Sequence, residues 1–222
     1  MVQRPKAEVR ARLVAAAREV FSEQGFSGAT MAGVAERAQV STGNVYRYFS
    51  SKEALLEEVL PASFAKELRR LVRSRVDALA AVRDIALLPD SAPYFAASAR
   101  LFEFCIEHRE RVVFLLSGSK ATVYESFAAE LARDLEQWSL RYARRAYPQL
   151  RPSAALRFAL SEIFANYVAS LSRALSSNAE RGALEDAVAH LSAYHLGGMK
   201  QLFEAALLPA EQRRRRPIGG RK

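Results

Sequence analysis

Apolar residues recur along this chain at intervals of three and four almost from end to end. Nowhere do they alternate with polar ones over a run long enough for a strand. Leu13, Ala16, Ala17, Val20 and Phe21 make the first stripe. They predict a helix from about Pro5 to Gln24, with Gly25 placed for a left-handed cap. Met31, Val34, Ala35 and Ala38 predict a short second helix capped by Thr30. Gln39-Val40 is a brief turn, and Ser41 caps a third helix ending near Phe49. Ser50-Ser51-Lys52-Glu53 has the Ser-x-x-Glu form of a capping box. It opens a helix to about Ala80 that Pro61 kinks or breaks. Further helices are predicted over about Ser91–Glu107 (with Pro93 in the first turn), Arg109–Ser117 (stopping at Gly118), Ala121–Tyr147 (ending before Pro148), Ser153–Ser177 and Leu184–Leu208. The class is all-α, with about nine helices.

The second and third helices, short and joined by a tight turn, have the form of a helix-turn-helix unit. On the third, Val45 and Phe49 point inward, toward Val34 and Leu13. Thr42, Gly43, Tyr46 and Arg47 then share the outer face, flanked by Asn44 and Tyr48. That face is polar, donor-rich and aromatic, and its glycine lets another molecule come close. Such groups read a DNA major groove: Asn pairs with adenine edges, Arg with guanine or phosphate, and Tyr reaches phosphates while its ring covers thymine methyls. The alternative for Tyr46 and Tyr48 is packing within the small domain. Lys52, at a helix N-terminus, opposes the macrodipole unless a phosphate binds there; its alternative is a solvated lysine.

Charge sharpens the picture. The net charge is +9 over 222 residues. Residues 1–52 hold eight Lys/Arg against four Asp/Glu, and residues 213–222 hold six Lys/Arg and no acid. The near-neutral stretch between them leaves a basic head and a basic tail, which suits a polyanion partner. The single cysteine, Cys105, excludes an intrachain disulfide. His190 with His195, and Cys105 with His108, have no further ligands nearby, so neither a metal nor a cofactor is expected. A charged start, no signal-like segment and no membrane-length apolar run lead to the expectation of a cytoplasmic protein that does not enter membranes. No nucleophile-base spacing or glycine-rich phosphate loop points to an enzyme.

The segment GFSGATMAGVAERAQVSTGNVYRYFSSKEALLEEVL, residues 25–60, resembles the N-terminal DNA-binding domain of the TetR family of transcriptional repressors. Thr30, Val40, Ser41, Gly43, Tyr46, Tyr48, Phe49, Lys52 and Glu53 carry the resemblance. Asn44 and Gly33 depart from it. The resemblance implies that Thr30 and Lys52 hold phosphates and that Ser41, Thr42, Gly43, Asn44, Tyr46, Arg47 and Tyr48 form the groove face. It also implies a DNA-binding domain over residues 1–50, a helical ligand-binding and dimerisation domain over 51–208, and a basic tail over 209–222. The function it implies is a repressor that binds a palindromic operator in double-stranded DNA as a homodimer and is released by a small, largely apolar effector. A protein partner in place of the effector is the alternative.

For the effector pocket the candidates are Phe102, Cys105, Tyr124, Phe127, Trp138, Asn166 and Tyr167, taken from the aromatic-rich stretch between residues 94 and 167. Each has plain core packing as its alternative; for Cys105 the choice is a thiol sensor or an inert buried thiol. The last two helices are apolar on more than one face, which needs a second partner beyond the chain's own core. Leu160, Tyr167, Leu191, Tyr194, Gly198 and Leu202 are the interface candidates, with an intrachain crossing at Gly197-Gly198 as the alternative. The tail adds phosphate attraction or is simply solvated.

Overall fold

The structure is a computed structural model describing residues 6–80, 82, 84–177 and 179–208. Pro5 and the basic tail 209–222 lie outside the described residues. Among the described residues there are ten α-helices, one turn of π-helix and no strand. No helix among them is long and apolar enough to cross a membrane.

The DNA-binding head is built by local chemistry. Helix α1, Lys6–Gly28, buries Leu13, Ala16, Ala17, Val20 and Phe21, the predicted stripe. It does not stop at Gln24. Gly25 takes φ 67° and ψ 170°, and the chain then makes one more turn, with Ala29 N–H bonded to Gly25 O at 3.1 Å. Helix α2, Met31–Arg37, begins at Thr30, whose hydroxyl accepts from Gly33 N–H at 3.0 Å. It ends in a Schellman motif: Gln39 adopts φ 53°, Val40 N–H bonds Ala35 O, and Gln39 N–H bonds Glu36 O. Helix α3, Thr42–Tyr48, begins at Ser41, whose hydroxyl accepts from Asn44 N–H at 3.3 Å.

Helix α4, Lys52–Val59, is capped by Ser51, which accepts from Ala54 N–H at 3.1 Å. The Ser50–Glu53 capping box therefore does not form. Glu53 lies one position too early for the reciprocal bond and instead accepts from its own N–H and the Ser51 hydroxyl, which hold its carboxyl below the usual range. A bidentate Arg10–Glu58 pair at 2.6 and 2.7 Å links α4 to α1.

Pro61 breaks the predicted 51–80 helix outright and precedes α5, Ala62–Asp77. That division turns nine expected helices into ten. Helix α6, Pro93–Glu107, is followed at His108 by α7, Arg109–Val113, and by the π turn Phe114–Gly118. Helix α8 is Phe127–Ala146, six residues shorter at its start than expected. Ala121 takes φ 62°, and the Thr122 hydroxyl donates to Ser119 O at 2.6 Å, so residues 119–126 form turns. Helices α9, Ala154–Ser176, and α10, Arg181–Leu207, complete the bundle.

The head meets the body where α1 crosses the π turn. A Cβ on Gly25 would lie 3.3 Å from Gly118 O, and the Phe21 and Phe114 rings sit 5.8 Å apart beside them. One continuous set of buried side chains runs from Leu13 in the head to Phe203 in α10.

Candidate nucleic-acid interface and effector cavity

On α3, Val45 is fully buried and Phe49, its C-cap, nearly so, which orients the rest of the helix. Thr42, Gly43 and Arg47 are exposed, and Tyr46 is 54% exposed. Asn44 and Tyr48 are half-buried at the edges of the face, Tyr48 resting against the core. Arg47 reaches Asn44 Oδ1 at 3.4 Å, a long contact that leaves its other donors outward. A Cβ on Gly43 would meet nothing within 4 Å. Helical glycine costs about 1 kcal/mol against alanine, and no crowding inside this chain calls for it.

Lys52 points elsewhere than its expected phosphate role requires. Its ammonium donates to Phe26 O at 2.6 Å and Ala29 O at 2.9 Å, and lies 4.3 Å from the centre of the Phe26 ring. It fastens the extra turn of α1 that follows Gly25. Thr30, in contrast, is exposed at the head of α2.

In the body, α5, α6, α8, α9 and α10 enclose an inner cavity of about 70 Å³. Leu79, Leu135, Phe164, Met199 and Phe203 give it a largely apolar wall. Arg75 and His195 also line it. Beside it, sharing Tyr94 and Ser192, an open groove of about 460 Å³ runs between α6 and α10 past Phe95, Phe102 and Val188.

Arg75 stands at the junction. Its Nε donates to Ser98 Oγ at 2.9 Å and its Nη1 to Tyr167 OH at 3.0 Å. Its Nη2 donates to Ser192 Oγ at 2.8 Å and to Tyr94 OH. Among the described residues no carboxylate pairs with it; the arginine ion pairs there belong to Arg10, Arg37, Arg69, Arg70, Arg73 and Arg181. His195 packs edge-on to Tyr167 with ring centres 4.2 Å apart. Burial, and then the Arg75 charge, push its pKa below the ordinary histidine value.

Of the seven predicted pocket residues, Tyr167 lines the inner cavity and Phe102 the groove. The other five do not. Asn166 is exposed, because one residue along a helix from Tyr167 turns about 100° away. Trp138 is packed in the core. Tyr124 donates to Leu60 O at 3.1 Å, and with Phe127 it borders a separate depression beside Arg69. Cys105 lies beside the cavity but does not line it, and burial pushes its thiol up to about 12, which removes the thiolate a sensor needs.

The interface candidates divide by helical phase. Leu160 and Tyr167 are buried in the chain's own core and leave the candidate interface. Tyr194 is 75% exposed and Gly198 is exposed, with Leu191 and Leu202 half-buried beside them. On α9 the outward stripe is Phe158, 70% exposed, with Ala165 and Ala169.

Arg75, Ser98, Ser192 and His195 were not among the predicted site residues. A signal for Arg75 existed. Phe64, Leu68 and Leu71 set the buried stripe of α5, and Arg75 continues it at i+4 toward Leu79.

Comparison with known proteins agrees with the head. The sequence model for the bacterial regulatory proteins of the tetR family matches residues 13–59. The HTH-type transcriptional regulator UidR of Escherichia coli is 31% identical over 134 residues, covering 58% of this chain and 66% of UidR, just under two thirds of its length. The regulator BetI of Cronobacter sakazakii is 29% identical over 162 residues, covering 68% of this chain and 80% of BetI. A TetR family transcriptional regulator from Chloroflexus aurantiacus aligns over 92% of this chain and 94% of its own at 14% identity, with a TM-score of 0.46, too loose a likeness to bear an argument. Residues 13–59 thus match the model of the bacterial regulatory proteins of the tetR family, and the chain is similar to HTH-type transcriptional regulators over 58–68% of its length.

Proposed function

We propose that the protein is a transcriptional repressor. It binds a palindromic operator as a homodimer in the cytoplasm and leaves it when a small molecule enters the body. The observation that carries this reading is the outer face of α3. Gly43 has open space over it and Tyr46 stands in solvent, so the chain keeps a helix-weakening glycine and an exposed aromatic side by side with no internal use for either. A close-approaching duplex supplies the use. Thr30, Ser41, Thr42, Asn44, Arg47 and Tyr48 complete the contact surface.

The dimer reading is supported by the outward apolar stripe of α9 and α10, Phe158, Tyr194 and Gly198 with their neighbours. Two such faces form a four-helix contact, which sets two recognition helices one DNA turn apart. The cavity and groove favour a small effector over a protein partner, because a solid core offers no such room.

The test is selection of bound sequences from a random DNA library at about 0.15 M salt, with Tyr46→Ala and Gly43→Ala as comparisons. A palindrome enriched by the wild type and weakened in both variants is the expected result. Gly43→Ala should be up to about 1 kcal/mol more stable while binding more weakly, since alanine favours the helix but blocks close approach. Salt-sensitive binding with no enriched sequence would overturn the reading.

A further inference from the structure

We propose that the body is a receptor for a small organic monocarboxylate, seated by its carboxylate at Arg75 with its uncharged apolar part in the groove between α6 and α10. The proposal rests on the regulator reading only for its physiological meaning; the site stands on its own geometry.

A guanidinium enclosed by five helices without a counter-ion among the described residues is costly, because hydroxyl dipoles replace only part of its hydration. Its four hydrogen bonds go to neutral hydroxyls. Five donors less four bonds leave one N–H on Nη1 for a ligand. The hydroxyls around it are also prepared. Ser192 passes its proton to Val188 O at 2.7 Å, whereas Tyr94 and Tyr167 accept from Arg75 and donate to no acceptor among the described residues. Arg75, Tyr94 and Tyr167 all line the inner cavity, so one cationic N–H and two phenol O–H groups are available at its wall, the donor set that a carboxylate satisfies.

Charge and size select the ligand. One guanidinium balances one negative charge; a dianionic phosphate would leave one uncompensated. His195, its pKa lowered, does not supply a second cation at neutral pH. The inner cavity of about 70 Å³ holds little beyond a head group, whereas the groove of about 460 Å³ accepts a ring or a short chain along Phe95, Phe102 and Val188. Glu103 and Glu185 border that groove, Glu103 paired with Arg181, so a second negative charge on the ligand meets repulsion there.

The test is calorimetric titration of the full chain, without DNA, with benzoate and hexanoate against benzyl alcohol and 1-hexanol. Wild type should favour each carboxylate over its alcohol by about 10- to 100-fold, the range of a charge-assisted contact. Arg75→Met should abolish that preference, and Arg75→Lys should retain part of it. Tyr167→Phe, which keeps the ring and removes one donor, should weaken carboxylates by about 3- to 10-fold and is the variant to rely on if Arg75→Met does not fold. Alcohols binding as well as acids, an acid preference surviving Arg75→Met or, where that variant does not fold, left undiminished by Tyr167→Phe, or no heat from either acid at about 5 mM would each overturn the proposal. Phenyl phosphate binding more tightly than benzoate would overturn the charge assignment. Carboxylate binding with a failed DNA selection would remove the regulator reading and leave the receptor; the reverse pair of results would do the opposite.

Discussion

Replacing Lys52 by methionine separates two roles that a lysine at this position can have. Methionine keeps an unbranched apolar stem and removes the charge. In the structure the ammonium holds Phe26 O at 2.6 Å and Ala29 O at 2.9 Å and caps the Phe26 ring at 4.3 Å. A hydrogen bond from a charged donor contributes about 1.5–3 kcal/mol and an exposed cation–π contact about 0.5–1 kcal/mol. Lys52 is half-buried, so water recovers part of what the carbonyls lose, and we expect a net cost of about 2 kcal/mol. For a chain of this length that lowers the unfolding midpoint by about 4–8 °C. Calorimetry reads the midpoint, and anisotropy of a labelled operator between 50 and 200 mM salt reads the DNA side. A lysine bonded to carbonyls releases no counterion, so the salt slope should be unchanged; a lysine on phosphate would lower it by about 0.9 per half-site. An unchanged midpoint with a lowered slope would refute the inward role and restore the phosphate contact.

Two further outcomes are expected. Gly25→Ala should destabilise the protein by about 2–3 kcal/mol in chemical denaturation, because φ 67° with ψ 170° is nearly glycine-only backbone and the new Cβ would press on Gly118 O at 3.3 Å. Stability should also fall as pH drops below the ordinary histidine value. His195 is held down by burial and the Arg75 charge, and His108 by burial and Arg111, so the unfolded chain takes up protons there before the folded one does. His195→Gln should flatten melting temperature against pH between about 6.5 and 5, and an unaltered slope would contradict the assignment.

The head was legible because its instructions are local. Thr30 and Ser41 cap the helices the stripes predicted, and Val45 and Phe49 turn inward as their spacing requires. Its misreadings are local as well. Gly25 was recognised as left-handed but not as a break inside a continuing helix, and Ser51 outcompeted Ser50 as the cap. In the body, prolines 61, 93 and 148 marked helix ends well, since each removes a donor and forbids the preceding turn. Ser119 and Thr122 concealed the true start of α8, because hydroxyl-to-carbonyl bonds offer the backbone an alternative that periodicity does not register.

The pocket was misassigned for a different reason, and Arg75 shows it. Aromatic composition picks residues that like to be buried, but a cavity is defined by the gap between helices, and the phase of each helix decides what faces it. Phe127 and Trp138 satisfy the composition rule and fill core; Asn166 satisfies the polarity rule and faces water. Arg75 satisfies neither, since Arg-Arg-Leu-Val-Arg-Ser-Arg at residues 69–75 has the composition of a solvated helix face. Phase distinguishes its arginines. Arg70 and Arg73 lie off the Phe64–Leu68–Leu71 stripe and pair with Glu67 and Asp77 on the surface. Arg75 lies on the stripe, where a leucine would pack and contribute about 1.5–3 kcal/mol of burial. A charge retained at a leucine position, fenced by hydroxyls and with no carboxylate partner among the described residues, sacrifices stability that an apolar side chain would supply. A ligand that brings the missing negative charge gives that sacrifice a use, since it binds the folded state alone and returns the lost stability by mass action.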